Sequence, residues 1–146
     1  MIIVGKVLSI YSATDESQSL PRPAARHLEC IEGHGIKNDK FAGKDLEKTV
    51  MVIGKRSYNM AKEIGVKLEP GSLGENILFD FDPHYYPDGT RFKIGDVILE
   101  VTEDCSMCKH LTMFDTRLPK LLKHKRGRYC RIIQSGTIVT GQTVSL

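Results

Sequence analysis

The chain has 146 residues, of which 40% are hydrophobic and 27% charged, and its formal net charge is +3. That length holds one domain with a proper core and not two comfortable ones, and the composition is ordinary for a soluble globular protein. No apolar run approaches the ~20 residues of a membrane span, and Met1-Ile2-Ile3-Val4-Gly5-Lys6 lacks the long apolar core and cleavage site of a signal peptide, so a cytoplasmic protein with no membrane partner is expected.

Residues 2–11 alternate and carry β-branched side chains, which predicts a first strand running into a polar turn over 12–19. Pro21 and Pro23 have no amide hydrogen to give a ladder, so regular pairing stops near them. A short strand is expected over 26–31, followed by Gly33-His34-Gly35-Ile36-Lys37-Asn38-Asp39, which has loop chemistry. Residues 49–53 form the short apolar run of a buried strand. The period then changes. Tyr58, Met60, Ala61 and Ile64 fit one face of a helix over 56–64, with Gly65 placed to end it.

Pro70-Gly71-Ser72-Leu73-Gly74 reads as a turn leading into 76–81, and Phe92-Lys93-Ile94-Gly95-Asp96 followed by 97–102 reads as two strands around a tight turn. A second short helix is expected over 115–124, broken at Pro119, and strands over 130–133 and 138–146 close the chain. Short strands at short spacing, two short helices and no βαβ rhythm predict an antiparallel barrel or sandwich, as a single domain over 1–146 without repeats or linkers.

Four cysteines, Cys30, Cys105, Cys108 and Cys130, read as free thiols of a reducing compartment. The sharpest local feature is Cys105-Ser106-Met107-Cys108-Lys109-His110, two thiols in a polar loop after a strand. Lys109 or His110 beside the second thiol favours the thiolate, the form that attacks sulfur or ligates a metal. A thioredoxin-like pair would need a strand feeding a helix. A structural zinc site would need Cys30, Cys130 or His110 to complete four ligands. A single functional thiolate and two inert cysteines are the remaining readings.

Gly71 and Gly74 permit positive φ or close backbone approach ahead of Glu75 and Asn76, a turn that presents amides to an anion or bonds its own backbone. His34 and Asp39 lie in a second shaped loop. Lys120, Lys123, His124, Lys125, Arg126, Arg128 and Arg131 form a basic cluster that meets an anion or is a solvated surface, with no nucleic acid expected as a partner.

Taken in order, these segments resemble the MOSC family, named for the C-terminal domain of molybdenum-cofactor sulfurase. Gly5-Lys6-Val7-Leu8-Ser9-Ile10 resembles its first strand, and Gly35-Ile36-Lys37-Asn38-Asp39 is similar to its Gly-Ile-x-Gly-Asp loop. Leu73-Gly74-Glu75-Asn76 matches its Leu-Gly-Glu-Asn signature. Phe92 through Thr102 resembles the strand pair before the family cysteine, which by register is Cys108, and Gly127-Arg128-Tyr129-Cys130-Arg131 resembles the closing strands. Two positions and one segment depart from the pattern. Asn38 stands where the family has Gly, Phe41 where it often has His, and Asp104-Cys105-Ser106-Met107 replaces a proline-rich approach.

The resemblance implies a mainly β fold with two or three short helices, a MOSC-type closed or partly open β-barrel, and a cleft holding the cysteine. It implies a pterin-molybdenum cofactor, with Cys108 as catalytic thiolate and metal ligand; Cys105, extra to the pattern, would either trap Cys108 as a disulfide or act as a resolving thiol. Asp39, Gly74, Glu75, Asn76 and Lys109 are the expected cofactor-binding residues, joined by Arg128 and Arg131, whose charge, with that of Lys123 and Lys125, suits the phosphate of a pterin. A reductase would have to supply electrons, or a cysteine desulfurase would supply sulfur, with pyridoxal phosphate belonging only to that partner. A non-catalytic cofactor or persulfide carrier and a zinc-stabilised interaction module are the alternatives, zinc being the less expected metal.

Overall fold

The structure, a computed structural model, describes residues 1–14, 20–106 and 109–146. Its strands are β1 (Ile3–Ile10), β2 (Leu28–Ile31), β3 (Gly35–Ile36), β4 (Val50–Gly54), β5 (Ile77–Phe79), β6 (Arg91–Ile94), β7 (Val97–Asp104), β8 (Arg128–Gln134), β9 (Gly136–Ile138) and β10 (Thr143–Ser145). The helices are α1 (Lys55–Glu63) and α2 (Leu118–Leu121), joined by short 3-10 segments. None of the described helices is long and apolar enough to cross a membrane.

Seven strands close into a barrel in the order β1-β10-β6-β7-β8-β4-β5, and a separate three-stranded sheet has the order β3-β2-β9. Alternation decides which side chains fill the barrel. Along β7, Val97, Leu99 and Val101 are buried while their neighbours are partly exposed, and β8 buries Cys130 and Ile132 in the same way. Irregularities in the β7–β8 register between Ile98 and Leu99, and between Val101 and Glu103, bend that long pair.

The pairing of β4 with β5 is parallel, Val52 facing Ile77 and Gly54 facing Phe79, with α1 in the connection between them. The expectation of a chain without a βαβ unit is therefore corrected. The clue was the unbroken apolar run of β4, since a strand covered on both faces needs no polar alternation. Val50 and Val52 enter the barrel core, while Ile53 joins a second cluster outside it, with Ala61 of α1, Leu118 of α2 and Leu111.

Other boundaries also differ from expectation, and the short strand β3 lies within the loop expected over 33–39. The single strand expected over 138–146 is two, β9 and β10, separated by a turn in which the Val139 amide donates to Gln142 Oε1. Pro119 opens α2 rather than breaking it, because the first turn of a helix has no use for the missing amide hydrogen.

Candidate functional site

The end of β1, the loop after β3, β4, the turn before β5 and the start of β8 converge around a cavity of about 270 Å³. Its wall includes Arg22, Phe41, Met51, Gly74, Cys105 and Arg126, with Tyr129 and His110 at its sides. A second cavity of about 180 Å³ shares Arg22, Phe41, Met51 and Tyr129 with the first and adds Lys44, Lys48 and Asn76. The shared walls make one cleft of the two. Cations outnumber carboxylates along it, so its field favours an anion.

Arg126 carries the strongest demand. It is only 5% exposed, and its Nε and Nη1 have no hydrogen-bond partner among the described residues. A buried guanidinium that keeps donors unpaired forfeits solvation without recovering it, which an anion in the cleft would restore. Gly74 makes room for this side chain, and Gly127 lets its backbone lie against Met51. Gly74 has φ +81, and a Cβ there would sit 3.4 Å from Arg126 Nη2. At Gly127 a Cβ would lie 2.9 Å from Met51 Sδ, so the backbone beside Arg126 passes close over β4 only without a side chain.

Arg22 faces the same space. Its Nη1 lies 4.0 Å from Asp39 Oδ2, and its guanidinium carbon sits 5.1 Å from the centre of the Phe41 ring. Burial pulls this guanidinium below its usual range; Asp39 and Glu75 oppose that pull, and the like charge of Arg126 adds to it. Phe41 is exposed at the mouth, with Lys40 Nζ and Lys44 Nζ 5.3 and 5.9 Å from its ring centre.

Cys105 follows β7 directly, and its amide donates to Gly127 O at 2.9 Å, which holds the residue against β8. Its Sγ lies 3.4 Å from the Tyr129 hydroxyl. Burial, and then the bond to Cys105, push the Tyr129 phenol up, so it stays a neutral hydroxyl. Cys30 and Cys130 lie in the barrel core, where burial pushes each thiol up to about 12. Such thiols are inert at neutral pH.

The other expected residues divide by what they touch. Asp39 is buried and accepts from Ser12 Oγ (2.9 Å), the Ala13 amide (3.1 Å), the Phe41 amide (2.9 Å) and Asn76 Nδ2 (3.4 Å). Asn76 also donates to Tyr11 O and accepts from the Met51 amide, tying β1 to β4. Glu75 is fully buried and accepts from the Tyr58 hydroxyl at 2.6 Å and the Gly71 amide at 3.1 Å. Burial raises the Glu75 carboxyl against those bonds. Asp39 and Glu75 thus shape the cleft from behind, while Gly74 and Asn76 reach its surface. Asn38 has φ +66, a left-handed conformation that asparagine tolerates better than most residues, so it holds the backbone a glycine would.

Lys109 is exposed in a 3-10 segment and lines neither cavity, whereas its neighbour His110 does. Arg128 donates to Asp104 Oδ1, to Asp88 Oδ1 at 2.6 Å and to Tyr86 O at 3.1 Å. Arg131 is paired with Glu100 at 3.1 Å and Glu47 at 3.6 Å, and Lys125 with Asp82 at 2.6 Å. These charges are already committed, and neither Arg128 nor Arg131 lines the cleft. Cys108, the expected catalytic thiolate and metal ligand, lies outside the described residues. Among the described residues no three His, Cys, Asp or Glu side chains are grouped to hold a metal ion.

Sequence reading passed over Arg22, Tyr129 and the singular position of Arg126. Arg22 had one local signal, its place between Pro21 and Pro23. Arg126 had none, being one cation among several in the same run.

The family model described as the MOSC domain matches residues 34–145. Among solved structures, the YUAD protein from Bacillus subtilis superposes with a TM-score of 0.78 at 17% identity, covering 96% of this chain and 93% of its own. YiiM from Geobacillus stearothermophilus has a TM-score of 0.69 at 17% identity, covering 99% and 74%, and YiiM from Escherichia coli 0.66 at 16%, covering 96% and 69%. At these identities the likeness is one of fold. The curated proteins include no match by sequence.

Proposed function

The chain belongs to the MOSC domain family, and on that premise we propose that its cationic cleft binds the molybdenum cofactor or handles sulfur, with Cys108 as the principal thiolate. The observation that carries this reading is the Arg126 guanidinium, buried beside Arg22, with Nε and Nη1 lacking a hydrogen-bond partner among the described residues. The phosphate of a pterin cofactor fits that demand with charge-assisted hydrogen bonds, so Arg126 and Arg22 would hold it. When bound, the metal supplies two-electron redox chemistry, and a soft cysteine thiolate suits it. Phe41 offers a flat face at the mouth for a planar ring. The anion-holding role expected of Arg128 and Arg131 falls to Arg126 and Arg22, because the first two already face carboxylates.

No flavin or nicotinamide motif appears in the chain, so a reductase partner would deliver electrons, or a desulfurase partner, with its own pyridoxal phosphate, would deliver sulfur. A non-catalytic carrier that holds the cofactor or a persulfide for another protein uses the same cleft. Elemental analysis of protein purified without oxygen separates these readings. Molybdenum near one per chain, lost in Cys108→Ser and reduced in Arg126→Gln, supports cofactor binding. Sulfane sulfur without molybdenum supports the carrier. Neither element in the wild-type protein overturns the proposal.

A further inference from the structure

We propose that Cys105 is a second sulfur-accepting thiol of the cleft, which takes the sulfane sulfur of a persulfide donor and holds it between Tyr129 and Arg126. Among the described cysteines only Cys105 lines a cavity; Cys30 and Cys130 are enclosed by the barrel core. Cys105 is 4% exposed, and its lining of the 270 Å³ cavity gives a small donor a route to the sulfur.

Two neighbours suit an anionic sulfur. The Tyr129 oxygen lies 3.4 Å from Sγ, and because burial keeps the phenol protonated, its hydrogen turns to the sulfur once the thiol ionises. Arg126, with two N–H-bearing nitrogens buried and without a partner among the described residues, lines the same cavity and is the independent sign that a negative group belongs there. Arg22 and His110 add positive or donor character to the wall, while Asp39 and Glu75, the nearest buried carboxylates, are held by their own hydrogen bonds behind it. A perthiolate carries its charge one sulfur farther from the backbone than a thiolate, which moves that charge out into the cavity.

The transfer balances without an oxidant. The Cys105 thiolate attacks the outer sulfur of a donor R–S–SH, forming a new S–S bond. The donor's S–S bond breaks and its electron pair leaves on R–S⁻. The product Cys105–S–SH gives up its proton to R–S⁻, so a perthiolate and a free thiol R–SH remain. The inference rests on the cleft being a sulfur-handling site and adds a residue to it that the family pattern lacks.

The test uses glutathione persulfide, without oxygen, on the full-length wild-type, Cys108→Ser, Cys105→Ser and doubly substituted proteins, followed by tagging and peptide mapping. The expected result is that Cys108→Ser still takes about one sulfane sulfur per chain, mapped to Cys105, and that the double variant takes none. In the Cys108→Ser background, Arg126→Gln slows loading about tenfold and Arg126→Lys recovers part of the rate, because the guanidinium stabilises the negative charge on sulfur. Tagging confined to Cys108 overturns this inference while leaving the proposed function standing. Equal tagging of Cys30 and Cys130 overturns it as non-selective chemistry, and no tagging of any thiol overturns it together with the sulfur arm of the proposed function.

Discussion

Arg126 sets the terms at the scale of single residues. Its guanidinium is buried with no hydrogen-bond partner for Nε or Nη1 among the described residues, and the charge of the buried Glu75 carboxylate offsets its desolvation only in part. Arg126→Met keeps comparable volume and removes the charge. The expected outcome is a gain of about 1–3 kcal/mol in unfolding free energy, read from urea denaturation, with loss of anion retention in the cleft. A loss of stability would mean the side chain is satisfied in solution. Glu75 has the opposite design. Tyr58 and the Gly71 amide hold its carboxylate, and the Tyr58 oxygen in turn accepts from the Gly71 and Leu73 amides at 3.0 and 3.2 Å. The Leu-Gly-Glu-Asn motif is therefore chiefly a device for building the turn that carries Gly74, which is why it reads so clearly in sequence.

At the scale of elements, short segments are fixed by their caps. The 3-10 segment Pro83–Tyr85 is capped by Asp82, whose Oδ1 accepts from the His84 amide at 2.9 Å and from His84 Nδ1 at 2.8 Å. With the proton on Nδ1, Nε2 is a buried acceptor without a partner. Burial lowers the His84 pKa from 6.5, outweighing the pairing with Asp82. A histidine whose folded pKa is depressed binds its proton more readily when unfolded. Its contribution to stability is complete above 6.5 and is lost as pH falls from there through the folded pKa. Asp82 is also lowered: burial opposes this, but the Lys125 and His84 bonds win, so its own contribution fades only below 3.8. Thermal unfolding between pH 7 and 5 is expected to show a drop in wild-type stability that His84→Asn reduces. Identical pH profiles would exclude His84 as the titrating group.

Across the whole molecule, β4 divides two apolar clusters, the barrel interior and the layer beneath α1 and α2. Phe79 anchors the first. It is fully buried, stacked on Phe81 at 4.6 Å between ring centres and edge-on to Phe92 at 5.7 Å. Phe79→Ala is expected to cost about 3–5 kcal/mol, measured by chemical denaturation, because a closed barrel collapses poorly around a void. A cost under about 1 kcal/mol would mean the interior repacks freely. The strands that make this interior were legible because alternation is local: β7 announces Val97, Leu99 and Val101 without reference to any partner. The parallel β4–β5 pair was not, because an apolar run on both faces is compatible with several pairings.

The sequence by itself determined the mainly β class, most strand positions, the helix at α1, the family, and the turn over Pro70-Gly71-Ser72-Leu73-Gly74. Each of these follows from periodicity, turn chemistry or a contiguous motif, and such signals survive without a partner. Only the tertiary structure decided which cations are free. Arg126, Arg128 and Arg131 stand within one short run, yet two of them meet carboxylates from β7 and from distant loops while Arg126 lines the cleft with Nε and Nη1 lacking a partner among the described residues. It likewise brought Arg22 and Cys105, far apart in the chain, to one cavity wall. Charge pairing depends on residues far away in sequence, and no local pattern carries that information.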